Sequence, residues 1–310
     1  MIEVNDLCKD YEIVRRKHLF FGKTTETVHA VKGISFSIQD GEKVGMIGLN
    51  GAGKTTTIKM LTGILTPTAG TVLVNGFRPA ERKREFLSQS GVSMGQRSGL
   101  FYDIALRESL EYSRAVYGVA EAAYQARLRE FDECLEIGPL LDTPVRKLSF
   151  GQRRKSELAC ALLHNPGVIF LDEPTIGLDV VAKENVFTFL NLLNQKYHAA
   201  ILLTTHELEN IERFCQRIVV LEHGTVLYDG KISRFSGMEH YRRICMSRAL
   251  YEKRKFSFPN AVETENGVEF VMDLQEHDCG DLFHGLQLAD FTVEKLTLED
   301  MIRKLERTGK

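Results

Sequence analysis

The segment GLNGAGKT at residues 48–55 has residue types and spacing suited to binding nucleotide phosphates. It fits the pattern G-x-x-x-x-G-K-[ST], whose glycines allow backbone N–H groups to turn towards phosphate oxygens. The Lys54 ammonium can reach the β- and γ-phosphates, and the Thr55 hydroxyl can bind Mg²⁺. The other residues expected to line this phosphate cradle are Asn50, Gly51, Gly53 and Thr56.

The residues on either side of this loop predict the elements that must position it. Residues 42–47 form a short apolar run typical of a buried strand, and residues 54–61 have a helical pattern. The N-terminus of that helix would face the phosphates, where its dipole favours negative charge. A chance glycine-rich turn is the alternative interpretation, and the strand and helix count against it.

A second group of chemically capable residues is the pair of carboxylates in VIFLDEP at 168–174. Asp172 ends an apolar strand and could hold Mg²⁺, whereas Glu173 could polarise a water molecule for attack on a phosphate. The alternative for Glu173 is an acidic residue that caps a strand end. A further apolar strand at 200–205 leads to His206, and a lone histidine is more often structural than functional.

Two shorter segments lie close to the carboxylates in the sequence. LSFGQ at residues 148–152, which we call the signature segment, precedes a helical stretch at 153–163. The N-terminus of a helix that begins near Gly151 could bind an anion, although it lies far along the chain from Lys54. GLD at residues 177–179, which we call the GLD turn, follows Glu173.

These motifs occur in the order found in ATP-binding-cassette (ABC) ATPases, and residues 1–232 resemble that family. The resemblance implies an α/β fold, in which a P-loop NTPase core carries an antiparallel β subdomain and a helical subdomain at about 97–165. It implies that the chain binds ATP and Mg²⁺ and hydrolyses ATP as a homodimer. Two ATP molecules would lie between two head-to-tail subunits.

The resemblance also implies roles for individual residues. Ser149, Gly151 and Gln152 would contact the ATP held by the opposite subunit, and Asp179 would couple the two sites. His206 would contact the γ-phosphate.

Two further positions match the family less specifically. Gln96 would bind Mg²⁺ and move with the membrane partner, and the alternative is a plain loop glutamine. Tyr11 would stack on adenine, and the alternative is a tyrosine of the core.

Composition limits where this protein can work. No apolar run among the 310 residues approaches the roughly 20 needed to span a bilayer, and residues 1–6 do not resemble a signal peptide. We therefore expect a cytosolic chain that does not itself span a membrane. The resemblance implies that it reaches the cytoplasmic face of the membrane through permease partners. The net charge of −2 argues against a nucleic-acid-binding surface. Six scattered cysteines without a C-x-x-C pair indicate reduced thiols.

The chain is expected to have two domains, an ATPase at 1–232 and an accessory or regulatory α+β domain at 233–310. Strands are predicted at 2–11, 28–38 and 70–76, with a basic and aromatic loop at 15–23 between the first two. That loop is a solvated insertion or a contact for phospholipid or a partner.

In the second domain a strand is predicted at 267–272 and a capped helix at 297–305. Simple packing is the alternative to a regulatory role for this domain.

The segments 95–98, 141–148 and 174–183 resemble the ATPase subunits of ABC-2-type exporters, in particular a bacterial branch associated with drug or viologen export. The resemblance implies partnership with separate ABC-2 permease subunits. The alternatives are the motor of an importer and a soluble ABC ATPase of translation or DNA maintenance. The single cassette and the absence of a long insertion count against the soluble classes. The cargo is left open.

Overall fold

The computed structural model describes residues 1–16, 23–94, 99–205, 208–233, 241–253, 261–264, 267–274 and 290–296. The chain divides into two compact units, Met1–Gly230 and Lys231–Lys310. Several predictions lie outside the described residues, namely those for Gln96, His206, Cys279, the helix at 297–305 and the middle of the basic loop.

The first unit is built on a six-stranded sheet with the order β5-β6-β7-β3-β8-β9. Its strands are β3 (Lys43–Ile47), β5 (Ser90–Met94), β6 (Val168–Asp172), β7 (Ala200–Thr204), β8 (Arg217–Glu222) and β9 (Thr225–Lys231). The pairs from β5 to β8 are parallel. All of β7 is buried, and β6 is buried up to Asp172, as expected for a parallel sheet covered on both faces.

A second, antiparallel sheet has the order β2-β1-β4. Its strands are β1 (Ile2–Arg16), β2 (Lys23–Ile38) and β4 (Ala69–Val74). Because β4 pairs with β1 only as far as Cys8, the rest of β1 and β2 forms a two-stranded ribbon. The ribbon corrects the two ends of the loop predicted at 15–23, since Arg15 pairs with Thr24 and Arg16 pairs with Lys23. Three threonines in β2 favour the extended backbone that continues this pairing.

The helices of the first unit are α1 (Lys54–Leu61), α2 (Arg84–Gln89), α3 (Leu106–Tyr117), α4 (Glu121–Leu135), α5 (Phe150–Leu162), α6 (Val180–Tyr197) and α7 (Leu208–Phe214). Helix α5 begins three residues before the helical stretch predicted at 153–163, and α6 begins two residues before the helix that the sequence pattern predicts at 182–197. The reason is local, because Ser149 and Asp179 accept hydrogen bonds from the first turns as N-cap residues. Helix α5 contacts β5, α3, α4 and α6, so it joins the sheet to the helical segment.

One hydrophobic core lies under both sheets of the first unit. It includes Ile2 and Val72 from the antiparallel sheet, Val44 and Phe170 from the parallel sheet, and Ile58 from α1. Because α1 contributes to this core, the start of the helix is fixed relative to the strands that precede and flank it.

The second unit contains a four-stranded antiparallel sheet with the order β11-β12-β10-β13. Its elements are β10 (Tyr241–Met246), α8 (Arg248–Lys253), β11 (Val262–Thr264), β12 (Gly267–Asp273) and β13 (Phe291–Lys295). A separate small core contains Ile244, Met246, Phe270 and Met272. In the parts of the chain that the structure describes, no helix combines the length and apolar character needed to cross a membrane.

Candidate active site

The loop between β3 and α1 has a backbone geometry that favours an anion. Gly53 is the N-cap of α1 with a φ of 103°, and a Cβ atom at this position would lie 2.8 Å from the Ala30 carbonyl oxygen. Only glycine fits this combination of backbone angle and space. The first turn of α1 contains no acidic residue, and its N–H groups have no acceptor within the helix. The helix start therefore favours negative charge.

Lys54 brings a cation to this loop. Its Nζ atom donates hydrogen bonds to the carbonyl oxygens of Gly48 at 2.6 Å and Leu49 at 3.1 Å. Burial lowers the pKa of Lys54, and the negative charges of Glu173 and Asp172 oppose that effect. The structure therefore brings the lysine of the phosphate loop within electrostatic range of both carboxylates. Asn50, Gly51 and Thr56 lie in the same loop and first helical turn.

Asp172 connects the end of β6 to the phosphate loop. The Thr55 hydroxyl donates to Asp172 Oδ2 at 3.1 Å, and the Thr204 hydroxyl donates to Asp172 Oδ1 at 2.6 Å. A hydroxyl and a carboxylate are the hard oxygen donors that Mg²⁺ prefers. The donor set of Thr55 and Asp172 therefore fits a magnesium ion.

Glu173 follows Asp172 in an unusual backbone conformation. Its φ is 53°, a left-handed value that costs on the order of 1 kcal/mol for a residue with a Cβ atom. The Glu173 N–H donates to the carbonyl oxygen of Thr204 at 3.1 Å and lies 3.2 Å from its hydroxyl oxygen. Because Thr204 belongs to the buried strand β7, these contacts fix the backbone of Glu173.

The signature segment forms the start of α5. Ser149 accepts a hydrogen bond from the Gln152 N–H at 3.2 Å, and the Gln152 side chain accepts one from the Ser149 N–H at 2.9 Å. This reciprocal arrangement is a capping box. A Cβ built on Gly151 would meet Leu178 of the GLD turn at 3.5 Å. The signature segment is therefore a capped helix start that packs beside the GLD turn.

The remaining predicted residues have different surroundings. Asp179 is exposed and caps α6 by accepting from the Ala182 N–H at 2.8 Å. Tyr11 lies on the ribbon of β1 and β2 with 36% of its surface exposed, and Lys9 Nζ lies 5.5 Å from its ring centre. Tyr11 is thus outside the core.

Two residues of this site were missed by the sequence patterns. Thr204 contacts Asp172 and Glu173, and its position as a polar residue at the end of an apolar parallel strand could have indicated it. Arg154 donates from Nη2 to the Glu173 carbonyl oxygen at 3.3 Å, and no sequence motif pointed to that contact.

Comparison with known proteins identifies the family of this chain. The family model described as "ABC transporter" matches residues 31–176, from β2 to the loop after β6. ABC transporter ATP-binding protein NatA of Bacillus subtilis is 32% identical over 212 residues, which cover 68% of this chain and 86% of NatA. This chain belongs to the ABC transporter ATP-binding proteins. As a member of that family it binds ATP and couples ATP hydrolysis to transport.

Other ABC proteins match over similar lengths. The Nod factor export ATP-binding protein I of Burkholderia lata is 38% identical over 200 residues, or 64% of this chain and 65% of that protein. The energy-coupling factor transporter ATP-binding protein EcfA2 of Clostridium perfringens is 29% identical over 75% of this chain and 84% of its own length.

Solved ABC structures confirm the predicted fold. A structure described as the ATP binding subunit of an ABC transporter has a TM-score of 0.65 at 32% identity, covering 76% of this chain and 93% of its own. A dimeric ATP-binding cassette bound to ADP and phosphate has a TM-score of 0.63 at 24% identity, covering 75% and 99%. These structures confirm the P-loop ABC ATPase fold. The family assignment confirms the predicted ATPase activity.

Proposed function

We propose that the residues gathered at the ends of β3 and β6 carry out ATP hydrolysis. The observation that supports this most directly is the 3.1 Å contact between Thr55 of the phosphate loop and Asp172. Lys54 would bind the β- and γ-phosphates together with the N–H groups of the loop and of the first turn of α1. Asn50, Gly51, Gly53 and Thr56 would complete that cradle.

Glu173 is proposed as the general base. Its carboxylate would accept a proton from water while the water oxygen forms a bond to the γ-phosphorus. The bond from the γ-phosphorus to the bridging oxygen would break, and ADP would leave. Thr55, Asp172 and Gln96 would hold Mg²⁺, which supplies charge neutralisation for the phosphates when bound. His206 is proposed to contact the γ-phosphate.

Substitution of Glu173 and Lys54 tests these roles separately. Glu173→Gln keeps the side-chain shape and removes the base, so we expect turnover to fall at least about 100-fold while ATP binding persists. Gel filtration with ATP and Mg²⁺ should then reveal an accumulated dimer. Lys54→Ala removes a charged donor, so the Kd for ATP should rise by about tenfold or more. Wild-type hydrolysis by Glu173→Gln would show that another group is the base.

The residues that close the ATP site on the side away from the phosphate loop are proposed to come from a second copy of the chain. Ser149, Gly151 and Gln152 would present the N-terminus of α5 to the γ-phosphate held by the partner subunit. The capping box supports this role because it fixes the helix start. It uses the Gln152 N–H, whereas the N–H groups of Phe150 and Gly151 have no acceptor within the helix and can face an anion. Asp179 would couple the two sites, and Tyr11, with its exposed ring, would stack on adenine.

We propose further that this ATPase drives an exporter with ABC-2-type permeases and joins the cytoplasmic face of the membrane through them. The relative named for Nod factor export, 38% identical over 200 residues, supports export. The energy-coupling factor relative, at 29% identity, keeps another transporter class as the second candidate. Drugs or similar toxic compounds are the proposed cargo.

Affinity purification from gently solubilised membranes tests the proposed partner. Tagged Glu173→Gln protein, held with ATP, should retain one or two polytopic membrane proteins that mass spectrometry can identify. Lys54→Ala, which should bind ATP weakly, is the matched control: a membrane protein that it fails to retain is one whose complex depends on bound ATP. Recovery of ribosomal or DNA-bound proteins without any membrane protein would contradict the transporter assignment of this chain. Permeases of another type would contradict only the ABC-2 proposal.

The second unit is proposed to stabilise the dimer or regulate it. Its separate hydrophobic core supports a domain that can act independently of the ATPase core. If a chain ending at residue 232 dimerises and hydrolyses ATP as the full chain does, residues 233–310 have neither role.

A further inference from the structure

Arg154 joins the signature helix α5 to the loop that carries Glu173 within the same subunit. The residue is 7% exposed and lies in the second turn of α5. Its Nη2 atom donates to the Glu173 carbonyl oxygen at 3.3 Å, and its Nη1 atom forms an ion pair with Glu157 at 3.1 Å. The guanidinium therefore contacts a carboxylate on its own helix and a backbone carbonyl oxygen at the active site.

The acceptor of this hydrogen bond is a backbone segment in a strained conformation. Glu173 has a left-handed φ of 53°, and Thr204 on β7 accepts from its N–H. Its carbonyl oxygen accepts from Arg154 on α5. Two different elements thus hold the two ends of one residue, and a left-handed residue with a Cβ atom persists only when its surroundings fix it.

A second contact connects the same two segments. Phe150, the first residue of α5, packs against Gly177 so closely that a Cβ on Gly177 would collide with its ring. Gly177 has a φ of 71°, so the turn there depends on glycine. The Arg154 guanidinium carbon lies 6.0 Å from the centre of the Phe150 ring, within range of a cation–π interaction. The start of α5 and the loop after β6 therefore form one packed unit.

We propose that Arg154 is a positioning residue that orients Glu173 and couples it to the signature helix of its own subunit. The inference rests on the proposed roles of Glu173 as base and of α5 as a contact for the opposite nucleotide. In a head-to-tail dimer, α5 meets one ATP while Glu173 of the same chain serves the other. A shift of α5 at one site is then transmitted through Arg154 to the base at the second site.

Kinetics of full-length variants test this proposal. Arg154→Gln removes the donor to Glu173, and Arg154→Lys keeps a cation for Glu157 but has one nitrogen in place of two. We expect kcat to fall about 10- to 100-fold in both, because misplacement of a reacting group has an effect of that size. The KM for ATP should stay within about twofold, since the phosphate loop is untouched. Gel filtration with ATP and Mg²⁺ should reveal more dimer than in wild type.

Glu157→Gln is the matched control, because it removes the ion pair and leaves both the Arg154 donor and the Glu173 carbonyl oxygen in place. Its kcat should equal that of wild type. An equal fall in kcat for Glu157→Gln would overturn the proposal, as would a wild-type kcat in Arg154→Lys. A rise in KM with unchanged kcat would also overturn it.

A parallel assay of Glu173→Gln separates the two possible failures. If Glu173→Gln is inactive and the Arg154 variants are normal, only the positioning role is wrong. If Glu173→Gln hydrolyses ATP at the wild-type rate, the proposed base is wrong and the inference falls with it.

Discussion

At the scale of single residues, one threonine organises the acidic pair. Thr204 Oγ1 lies 2.6 Å from Asp172 Oδ1 and 3.2 Å from the Glu173 nitrogen, so a single hydroxyl contacts a carboxylate and the next backbone N–H. Thr204 is completely buried, and its hydroxyl is shielded from competing water. Side chains that orient metal ligands in this way affect metal affinity without touching the metal.

Thr204→Val tests this role because valine has a similar shape without the hydroxyl. We expect the Mg²⁺ concentration for half-maximal ATPase activity to rise about 10-fold, since Asp172 loses a hydrogen-bond donor. Magnesium titration of steady-state hydrolysis provides the measurement. Thr204→Ser retains the hydroxyl and is the control, with a magnesium requirement close to that of wild type. An unchanged requirement in Thr204→Val would mean that Asp172 needs no such support.

At the scale of elements, His164 links the end of α5 to α3 and to the strand β5. The residue lies just after α5, and its ring stacks on Tyr117 of α3 with centroids 3.8 Å apart. Its Nε2 atom is 3.2 Å from the Ser90 carbonyl oxygen at the start of β5. Because a carbonyl only accepts, Nε2 carries the proton. Burial, together with the Arg127 charge, lowers the pKa of His164 to about 4, although the hydrogen bond to Ser90 opposes this shift.

This pKa predicts acid sensitivity of the fold. Between pH 6.5 and about 4 the unfolded chain binds a proton at His164 that the folded chain does not bind. The contribution of His164 to the free energy of unfolding is thus fully present above pH 6.5 and is lost as the pH falls towards 4. At pH 5 the loss should be on the order of 2 kcal/mol. Urea denaturation of wild type and His164→Phe at pH 7 and pH 5 provides the measurement. The variant keeps a ring against Tyr117, and its stability should decrease less. Parallel losses in both proteins would exclude His164 as the cause.

Several elements could be predicted from the sequence, and others could not. The helix after Lys54 and the strand before Asp172 follow from local patterns and occur where the sequence places them. The ribbon formed by β1 and β2 extends into both ends of a segment predicted as a basic and aromatic loop, because cross-strand pairing continues there. The contact of Arg154 with Glu173 joins positions 19 residues apart across a strand and a turn, and no short motif encodes it.

At the scale of the whole molecule, the proposed dimer requires that each nucleotide lie between the phosphate loop of one chain and the signature segment of another. Symmetry of a two-fold dimer then gives two equivalent sites. A substitution in the phosphate loop and one in the signature segment would damage different halves of a shared site.

Complementation between two inactive variants tests the shared site. Lys54→Ala damages the phosphate loop, and Gly151→Asp places a negative charge at the start of α5, where a Cβ atom makes only ordinary contact with Leu178. In an equal mixture, half of the dimers would be mixed and each would hold one intact site, so about a quarter of wild-type activity should return. The measurement is ATP hydrolysis by the mixture against each variant alone. No recovery despite subunit exchange would indicate that each site uses its own signature segment.

The sequence by itself determined the chemistry of the phosphate loop, the carboxylate pair and the signature segment, because each of these is a short stretch whose geometry depends on neighbouring residues. Only the tertiary structure decided which distant residues meet. Thr55 and Asp172 are 117 positions apart, and β7 lies between β3 and β6, so that Thr204 pairs with both Met46 and Asp172. Strand order depends on long-range packing of buried apolar faces, and local spacing in the chain does not specify it.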